Sequence, residues 1–388
     1  MKVVVDFRKY DGVVGGVEQV VMQILERLCR GEQQFVVLSK VNRIEEVKEL
    51  VKELPNIKHI ALPVLSHAIS LKNAYHDSVT IQNIAEDEKA QVIHFPYNWS
   101  FPYRKKVPTI LTIHDVIPFA FREAMGFFRN HFLYKPAIKK ACKLNTMIST
   151  ISEFSKQDIV EKVGAPAEKI RVIPNGFRTP YAPNAEMEKK LVEKFHLQEG
   201  FLLNVGGIHE RKNIARMIQA FAKFVQQSNY KGKLLITGKV SGAPYQEKMR
   251  VVCERAVTET GMKEQVVFTG FVSDEELDQL LRRAECLVYP SLYEGFGIPI
   301  LEAMNASVPV ITSNGTATRE VGEGASLLVD PYNVEEMASA MVRLHWDKKL
   351  RDELIAKGRE RVKLYSWDKL ARQYLSLYEE AAGQQIPG

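Results

Sequence analysis

Short runs of Val, Ile and Leu alternate with amphipathic stretches along almost the whole chain. In the first half, these runs predict strands at residues 2–7, 34–39, 58–62, 91–96, 109–114, 147–152 and 171–174. Helical periodicity lies between them, at 17–30, 43–53, 125–143 and 153–163. Because near-continuous apolar strands that alternate with helices are typical of parallel sheets covered on both faces, this pattern predicts a doubly wound α/β domain.

The pattern breaks after residue 174 and then starts again. Asn175 and Gly176 predict a turn, and two prolines follow closely, so we interpret 176–199 as a linker. Beyond it, apolar runs predict further strands at 201–206, 233–237, 266–269, 286–290, 309–312 and 326–329, and the closing helices at 334–346, 349–362 and 367–382 have no strand after them. Since 388 residues exceed what one core usually supports, we predict two Rossmann-like domains, 1–175 and 200–365.

The composition is typical of a soluble enzyme, with 45% hydrophobic and 26% charged residues. The four cysteines are scattered and form no CxxC pair, which favours reduced structural thiols over disulfides or a zinc site. The apolar run at the N-terminus is too short for a signal peptide, and no run approaches the roughly 18 residues of a membrane span. We therefore expect a cytoplasmic protein that at most rests on the cytosolic face of a membrane.

Basic residues are concentrated between Phe101 and Lys143, where only Asp115 and Glu123 are acidic. They are Arg104, Lys105, Lys106, Arg122, Arg129, Lys135, Lys139, Lys140 and Lys143. Aromatic residues interleave with them, as on helices that lie on anionic membranes. The alternatives are a solvated basic helix face and contact with a membrane or a lipid-linked acceptor. Nucleic-acid binding is disfavoured, because no recognised module is present and the rest of the chain is close to neutral.

The segment from Tyr293 to Ala303 combines two glutamates, two close glycines and a proline directly after a predicted strand. Glycines let a backbone approach a ligand closely, and proline suits the start of a helix. The amides and dipole of that helix start favour a diphosphate, so the segment's candidate donor-binding residues are Glu294, Phe296, Gly297, Ile298, Leu301 and Glu302. Glu302 would accept hydrogen bonds from ribose hydroxyls and Glu294 from the transferred sugar. The alternative is a strand–turn–helix with two capping or solvated glutamates.

This segment resembles the E-x7-E motif of the retaining glycosyltransferases of family 4, which have the GT-B fold. Similar segments follow the family's order at 15–18, 114–115, 149–155, 172–176, 206–213 and 269–273. The amino-acid sequences of several of these segments are most similar to those of the mannosyltransferase-like branch of the family. The resemblance implies two Rossmann-like domains that face a central cleft, with residues 366–388 packing back on the first domain.

Arg211 and Lys212 stand between a strand end and a helix. Two cations there can bind a pyrophosphate and stabilise the charge that develops on a departing nucleoside diphosphate. The alternative is an exposed basic pair. Many family members carry an arginine directly after the first glycine, where this chain has Gly207, so we expect Arg211 to supply that charge.

Three further positions follow from the resemblance. Gly15 and Gly16 would form a loop that touches the donor from the wall opposite the second domain, although a glycine pair also suits an ordinary tight turn. His114 would lie at the reacting sugar, where it contacts a hydroxyl or the acceptor; the alternative is a hydrogen-bonded core histidine.

Phe271 and Val272 would present backbone groups to the base. Lys239 is a weaker candidate, with a solvated loop lysine as the alternative. No two aspartates occur as D-x-D, the pair that chelates a divalent ion on a nucleotide sugar, so we expect neither a metal ion nor another cofactor.

The resemblance implies a retaining hexosyltransferase with a nucleotide diphosphate sugar as donor and a glycan or lipid-linked glycan as acceptor, in surface polysaccharide synthesis. We favour GDP-mannose as the donor over UDP-hexoses. Two other classes remain open: a nucleotide-sugar epimerase of the same fold, and a non-catalytic protein that binds the nucleotide sugar.

Overall fold

The computed structural model describes residues 1–121, 129–197, 199–238 and 244–384. It divides into two compact units, one formed by Met1–Gly176 with Ser366–Gly388 and the other by Phe177–Tyr365. Of the residues singled out from the sequence, Arg122, Glu123 and Lys239 lie outside the described residues.

Each unit is built on one parallel sheet. In the first unit, the described strands are β1 (Lys2–Asp6), β2 (Gln34–Lys40), β3 (Ile57–Leu62), β4 (Val92–Phe95), β5 (Thr109–Thr112), β6 (Met147–Thr150) and β7 (Ile170–Val172), in the order β3-β2-β1-β4-β5-β6-β7. In the second, β8 (Phe201–Val205), β9 (Lys233–Thr237), β10 (Val266–Gly270), β11 (Cys286–Tyr289), β12 (Val310–Ser313) and β13 (Leu327–Val329) have the order β10-β9-β8-β11-β12-β13. The strand predictions are therefore confirmed, apart from shifts of a residue or two at the ends.

The described α-helices are α1 (Gly16–Leu28), α2 (Ile44–Val51), α3 (Leu71–Tyr75), α4 (Ile81–Asp87), α5 (Ile117–Ala120), α6 (Lys135–Leu144), α7 (Glu153–Asp158), α8 (Ala185–Phe195), α9 (Ile214–Ser228), α10 (Pro244–Thr260), α11 (Asp274–Arg283), α12 (Ile298–Asn305), α13 (Thr316–Gly322), α14 (Val334–Trp346), α15 (Lys348–Val362) and α16 (Trp367–Ala382). Helices α3 and α4 were not predicted, because their segment lacks a continuous apolar stripe. Of the helix predicted over 125–143, residues 125–128 lie outside the described residues, and the rest is helical, as a π-helical segment, Arg129–Tyr134, that continues directly into α6.

The last helix, α16, belongs to the core of the first unit, as the resemblance implied. Its apolar face packs in one cluster with Val3 and Val5 of β1 and with α1. Tyr378 contacts the ring of His94 in β4 through a hydroxyl 2.9 Å from Nδ1. A Cβ on Gly176 would lie 2.4 Å from the Trp367 nitrogen, so only glycine allows the chain to pass this close to the start of α16.

The segment interpreted as a linker, 176–199, belongs to the second unit from Phe177 onwards. Its helix α8 is capped by Asn184, whose side chain accepts from the Met187 amide. The Asn184 amide in turn donates to Gln279 Oε1 of α11 at 3.0 Å. These bonds make the segment an integral layer of the second unit.

The strand order of each sheet reverses beside its first strand, between β1 and β4 in one unit and between β8 and β11 in the other. In doubly wound sheets, ligands bind outside the carboxyl ends of the strands at such a reversal. Lys212 follows β8 and Glu294 follows β11, so the second unit brings two candidate residues to its own reversal point. Among the described helices, none is long and apolar enough to cross a membrane.

Candidate functional site

The centre of the candidate site in the second unit is a carboxylate held between two cations. Glu294 Oε2 lies 2.6 Å from Arg211 Nη1, and Glu294 Oε1 lies 2.8 Å from Lys212 Nζ. The side chains of Lys212 and Glu294 are only 6% and 10% exposed, whereas that of Arg211 is 23% exposed. The sequence predicted each of these residues separately, and the structure shows that they form one cluster.

The charges in this cluster are strongly coupled. Burial by itself would raise the pKa of Glu294, but Lys212 and Arg211 outweigh that effect and hold the pKa below its usual value. Burial lowers the pKa of Lys212 despite the opposing charge of Glu294. With one carboxylate against two cations, the cluster favours an additional anion.

Glycines after β8 make room for the lysine. Gly206 has φ +123°, and a Cβ there would lie 2.7 Å from Lys212 Nζ. Asn213 closes the loop at φ 60°, and its side-chain amide donates to the carbonyls of Pro290 and Pro331 at 3.2 and 2.6 Å. The backbone therefore holds Lys212 against the end of β11 rather than letting it extend into solvent.

Tyr289, the last residue of β11, completes the cluster and was not predicted. Lys212 Nζ donates to its hydroxyl at 2.5 Å and lies 4.4 Å from its ring centroid, and the hydroxyl donates to Glu294 Oε1 at 3.1 Å. The side chain is almost completely buried. In the sequence, Tyr289 is one more apolar residue of a strand, and only its position at the strand's carboxyl end indicates a role.

Helix α12 begins at Ile298, one residue before Pro299, so Glu302 lies in its second turn. Pro299 has no N–H, and the Ile300 amide donates to the Gly297 carbonyl at 3.0 Å. Gly297 itself has φ +127°, which favours glycine. The expected contact between a diphosphate and this helix start therefore falls mainly to the amides around Gly297 and Ile298.

Two donor candidates in the same segment have buried side chains. Phe296 is 4% exposed and meets Tyr365 edge to face at a centroid distance of 5.7 Å, and Leu301 is 0% exposed. Either residue could meet a ligand only through its backbone. Phe271 and Val272 lie in the loop between β10 and α11, where Phe271 is largely exposed and Val272 half-buried.

Glu302 contacts other residues than those of the Glu294 cluster. Its Oε1 is 3.0 Å from Arg178 Nε, and Arg178 also forms an ion pair with Asp278 of α11. Burial raises the pKa of Glu302 to about 7, with Arg178 opposing the shift and Asp278 adding to it. These residues line a cavity of about 280 Å³ together with Asn305. Arg178 was missed, because nothing in its local sequence shows that it meets α12.

In the first unit, Gly15 and Gly16 form the start of α1. The Gly15 amide donates to Glu18 Oε2 at 3.2 Å, and Tyr97 donates its hydroxyl proton to Glu18 Oε1 at 3.2 Å. A Cβ on Gly16 would meet no described atom within 4 Å. Packing among the described residues therefore does not require glycine at position 16.

His114 follows β5 and is buried. Its Nε2 lies 3.3 Å from the Pro96 carbonyl, and its own carbonyl accepts from the Ser155 hydroxyl at 3.3 Å. Burial lowers the pKa of His114 to about 4, so the ring is neutral at pH 7. A neutral ring suits hydrogen bonding to a hydroxyl better than transfer of a proton at neutral pH.

Residues 14–179 match the family profile described as Glycosyltransferase Family 4, and residues 187–361 match the profile described as Glycosyl transferases group 1. The two matches lie side by side, carry the Gly15–Gly16 loop and the Glu294 cluster respectively, and together cover most of the chain. This chain is a family 4 glycosyltransferase. The resemblance seen in the sequence is thereby confirmed.

The relatives of this glycosyltransferase include mannosyltransferases. It is 29% identical over 295 residues to the O-antigen chain mannosyltransferase B of Escherichia coli, a match that covers 76% of this chain and 75% of that protein. It is 27% identical over 306 residues to the serotype-specific mannosyltransferase WbdA of Escherichia coli, and there the match spans only 37% of the relative's length.

The fold of this glycosyltransferase agrees with solved structures. A glycosyltransferase from Rickettsia africae superposes with a TM-score of 0.76 at 16% identity and covers 99% of both chains. The GT-B prediction, two Rossmann-like domains with parallel sheets, is confirmed. In the described part of this glycosyltransferase, no group of three or more His, Cys, Asp or Glu side chains is placed to hold a metal ion. That the reaction needs no metal ion stays a prediction.

Proposed function

We propose that this glycosyltransferase moves a mannosyl residue from GDP-mannose to a glycan or lipid-linked glycan, with retention of the anomeric configuration and without a metal ion. The observation that supports it most strongly is the Arg211–Glu294–Lys212 cluster at the reversal point of the second sheet. The mannosyl part rests on the names of the relatives, O-antigen chain mannosyltransferase B and WbdA.

The donor's diphosphate would bind between Arg211, Lys212 and the start of α12. The cluster carries one positive charge in excess of Glu294, in a largely buried setting where electrostatic interactions are strong. Arg211 is the more exposed of the two cations and is the one that can turn towards a phosphate. Glu294 keeps Lys212 in place and accepts hydrogen bonds from hydroxyls of the transferred sugar.

In the transfer step, the bond between the anomeric carbon and the phosphate oxygen breaks, and a bond to the acceptor oxygen forms on the same face. The acceptor's proton passes to an oxygen of the departing phosphate. The negative charge left on the nucleoside diphosphate is stabilised by Arg211 and Lys212, so that Glu294 need not act as a nucleophile. Catalysis then consists of positioning and charge stabilisation.

A lipid-linked acceptor is supported by the surface around α6. Lys139, Lys140 and Lys143 are exposed there, and Phe132 and Leu133 are 62% and 53% exposed in the π-helical segment that precedes it. Exposed cations beside exposed apolar side chains favour an anionic membrane surface.

The decisive experiment incubates the protein with GDP-mannose, UDP-glucose, UDP-galactose and UDP-N-acetylglucosamine, with and without a mixed glycan acceptor, and measures released nucleoside diphosphate and the product. We expect release of GDP that increases with acceptor, and an α-linked product by NMR. Release of UDP instead would transfer the assignment to a UDP-hexosyltransferase.

The other two classes give distinct results in the same assay. An epimerase would yield an altered nucleotide sugar and no transfer product. A binding protein would show a thermal shift with GDP or UDP but no turnover. Full activity in EDTA is expected, and a loss that Mn²⁺ restores would contradict the metal-independent mechanism.

A further inference from the structure

Packing alone does not fix the carboxylate of Glu302. Its side chain is 12% exposed and lines a cavity of about 280 Å³, in which the carboxylate has room to turn. Within the described part of the chain, Arg178 is the residue that pairs with it, through Nε at 3.0 Å from Oε1. Oε2 has no partner among the described residues, so it can accept hydrogen bonds from a ligand.

The guanidinium of Arg178 is itself held on its other edge. Its Nη1 and Nη2 donate to the two carboxylate oxygens of Asp278 on α11, a bidentate arrangement that sets the plane of the group. The Tyr181 amide donates to Asp278 Oδ2 at 2.7 Å, and Gln279 Nε2 donates to the Ala182 carbonyl at 3.1 Å. The segment that begins at Arg178 is thus bonded to α11 at several points, and Nε reaches α12 from a fixed support.

The charges around Glu302 come from the segment of Arg178 and from α11. Burial raises the pKa of Glu302 to about 7; Arg178 opposes this shift, and Asp278 and Asp274 add to it. Arg282 is a second cation on the cavity wall, but its Nη2 donates to a backbone carbonyl in the segment after Arg178. Helices α13 and α15 also pack on α12, but none of their described residues lines this cavity. Arg178 is therefore the cation that favours the charged form of Glu302.

A carboxylate that binds a neighbouring pair of hydroxyls must be ionised and correctly turned. When it is ionised, both oxygens accept hydrogen bonds, whereas protonation turns one of them into a donor. A site built to hydrogen-bond hydroxyls discriminates against an analogue that lacks them, because its buried polar groups are then left unpaired. Arg178 meets both requirements for Glu302, since it fixes Oε1 and favours the charged form.

We propose that Arg178 is a positioning residue for the donor, which holds the Glu302 carboxylate turned towards the two ribose hydroxyls and so makes the site select a ribonucleotide. The proposal rests on the transfer reaction proposed above. It adds to that reaction a residue outside the sequence motifs that sets how the nucleoside of the donor is recognised.

The test compares the binding of GDP and 2′,3′-dideoxy-GDP to the full-length protein by calorimetric titration between pH 6 and pH 9. Titration of the phosphates is common to both nucleotides, so the ratio of their Kd values isolates the contribution of the ribose hydroxyls. In the wild-type protein, we expect GDP to bind at least about tenfold more tightly at pH 8, as hydrogen bonds to a charged group allow. This preference should decrease as pH falls below 7, because Glu302 then becomes protonated.

Two variants should move this pH profile in opposite directions. Arg178→Met should abolish the preference at pH 8 and restore it only at higher pH, and Arg178→Lys, which keeps the charge, should recover most of it. Asp278→Asn keeps an oxygen that can accept from Arg178 and Tyr181 but removes a carboxylate that raises the pKa of Glu302, so its preference should persist to lower pH. If Arg178→Met does not fold, the shift in Asp278→Asn decides.

Arg283→Met is the matched control. Arg283 Nη1 donates to Glu188 Oε1 at 2.8 Å, so it also links α11 to the segment before β8, but it has no contact with Glu302. Its ratio of Kd values should equal that of the wild type. A preference for GDP that is unchanged in Arg178→Met overturns the proposal. An equal loss at every pH in Arg178→Met, Asp278→Asn and Arg283→Met indicates a structural role and also overturns it.

Failure of the proposed function gives a different result. If the wild-type protein binds UDP and not GDP, the same ratio is measured with UDP and 2′,3′-dideoxy-UDP, and only the identity of the donor changes. Binding of neither nucleotide overturns the proposed function and the role of Arg178 with it. Binding of a nucleotide without preference over its dideoxy form overturns the role of Arg178 alone.

Discussion

Lys212 Nζ lies 2.8 Å from Glu294 Oε1, and both side chains are almost completely buried at the carboxyl end of the second sheet. Lys212 arrives from the loop after β8 and Glu294 from the loop after β11, two strands that are neighbours in the sheet but far apart in sequence. Burying such a pair costs desolvation free energy. We therefore expect its charges to act on a substrate.

The first prediction concerns this pair. Glu294→Ala and Lys212→Ala should each lower turnover at least about 100-fold, the scale on which transition-state contacts contribute. Turnover would be measured from released nucleoside diphosphate at saturating donor. A rate close to that of the wild type in either variant would contradict the assignment.

Measuring the free energy of unfolding of these variants distinguishes a catalytic role of the pair from a structural one. Glu294→Ala leaves the buried ammonium of Lys212 without its carboxylate, which costs about 3–5 kcal/mol, whereas in Lys212→Ala the Glu294 carboxylate keeps its ion pair with Arg211. The double variant Lys212→Met with Glu294→Gln removes both charges and should recover much of the free energy of unfolding in urea while remaining inactive. Recovery of activity together with stability would show that the pair is only structural.

The second prediction concerns the close contact between the Gly206 backbone and the Lys212 side chain. Gly206→Ala should weaken nucleotide binding at least about tenfold, because the new methyl group would lie within 2.7 Å of Lys212 Nζ and displace it. Gly261 is a suitable control, since it has φ +70° but no atom of a described residue within 4 Å of its Cβ position. Gly261→Ala should lose only about 1–2 kcal/mol of stability and retain binding in calorimetric titrations. Equal binding by both variants would argue against a role for Lys212 in holding the donor.

The third prediction uses the raised pKa of Glu302, about 7 against an ordinary 4.5. The folded protein holds a proton there that the unfolded chain releases between pH 4.5 and 7. The stability from this group is therefore present below pH 4.5 and lost as pH rises through 7, by up to about 3 kcal/mol. Glu302→Gln cannot titrate and lacks this loss.

This pH dependence is tested by measuring the free energy of unfolding of the wild-type protein and of Glu302→Gln in urea at pH 5 and pH 8. Relative to Glu302→Gln, the wild-type protein should be less stable at pH 8 than at pH 5. If the carboxylate also accepts from ribose hydroxyls, nucleotide affinity of the wild type should rise across the same interval and that of the variant should not. A stability difference that is constant with pH would show that Glu302 is fully ionised throughout.

The fourth prediction concerns the surface around α6. Lys139→Glu together with Lys140→Glu should abolish co-sedimentation with vesicles that contain anionic lipid, since each cation near such a surface contributes about 1 kcal/mol. Lys189→Glu with Lys190→Glu is the control, because these lysines on α8 are 77% and 71% exposed in the second unit. Equal recovery with neutral and anionic vesicles would contradict membrane contact.

Much of the fold followed from the sequence, because most strands are short, buried apolar runs that end in turn residues. The short helices between residues 71 and 87 did not, since their burial depends on neighbours that the pattern does not reveal. The linker interpretation failed to anticipate Arg178, which meets Asp278 and Glu302 in the second unit.

Sequence alone determined the alternating strands, the two sheets and the motif residues Arg211, Lys212 and Glu294, because short-range pattern and local turn chemistry specify them. The tertiary structure decided which side chains share a site: Tyr289 beside Lys212 and Arg178 beside Glu302. The physical reason is that parallel strands bring their carboxyl ends to one edge of a sheet. The order of the strands along that edge differs from their order in the chain.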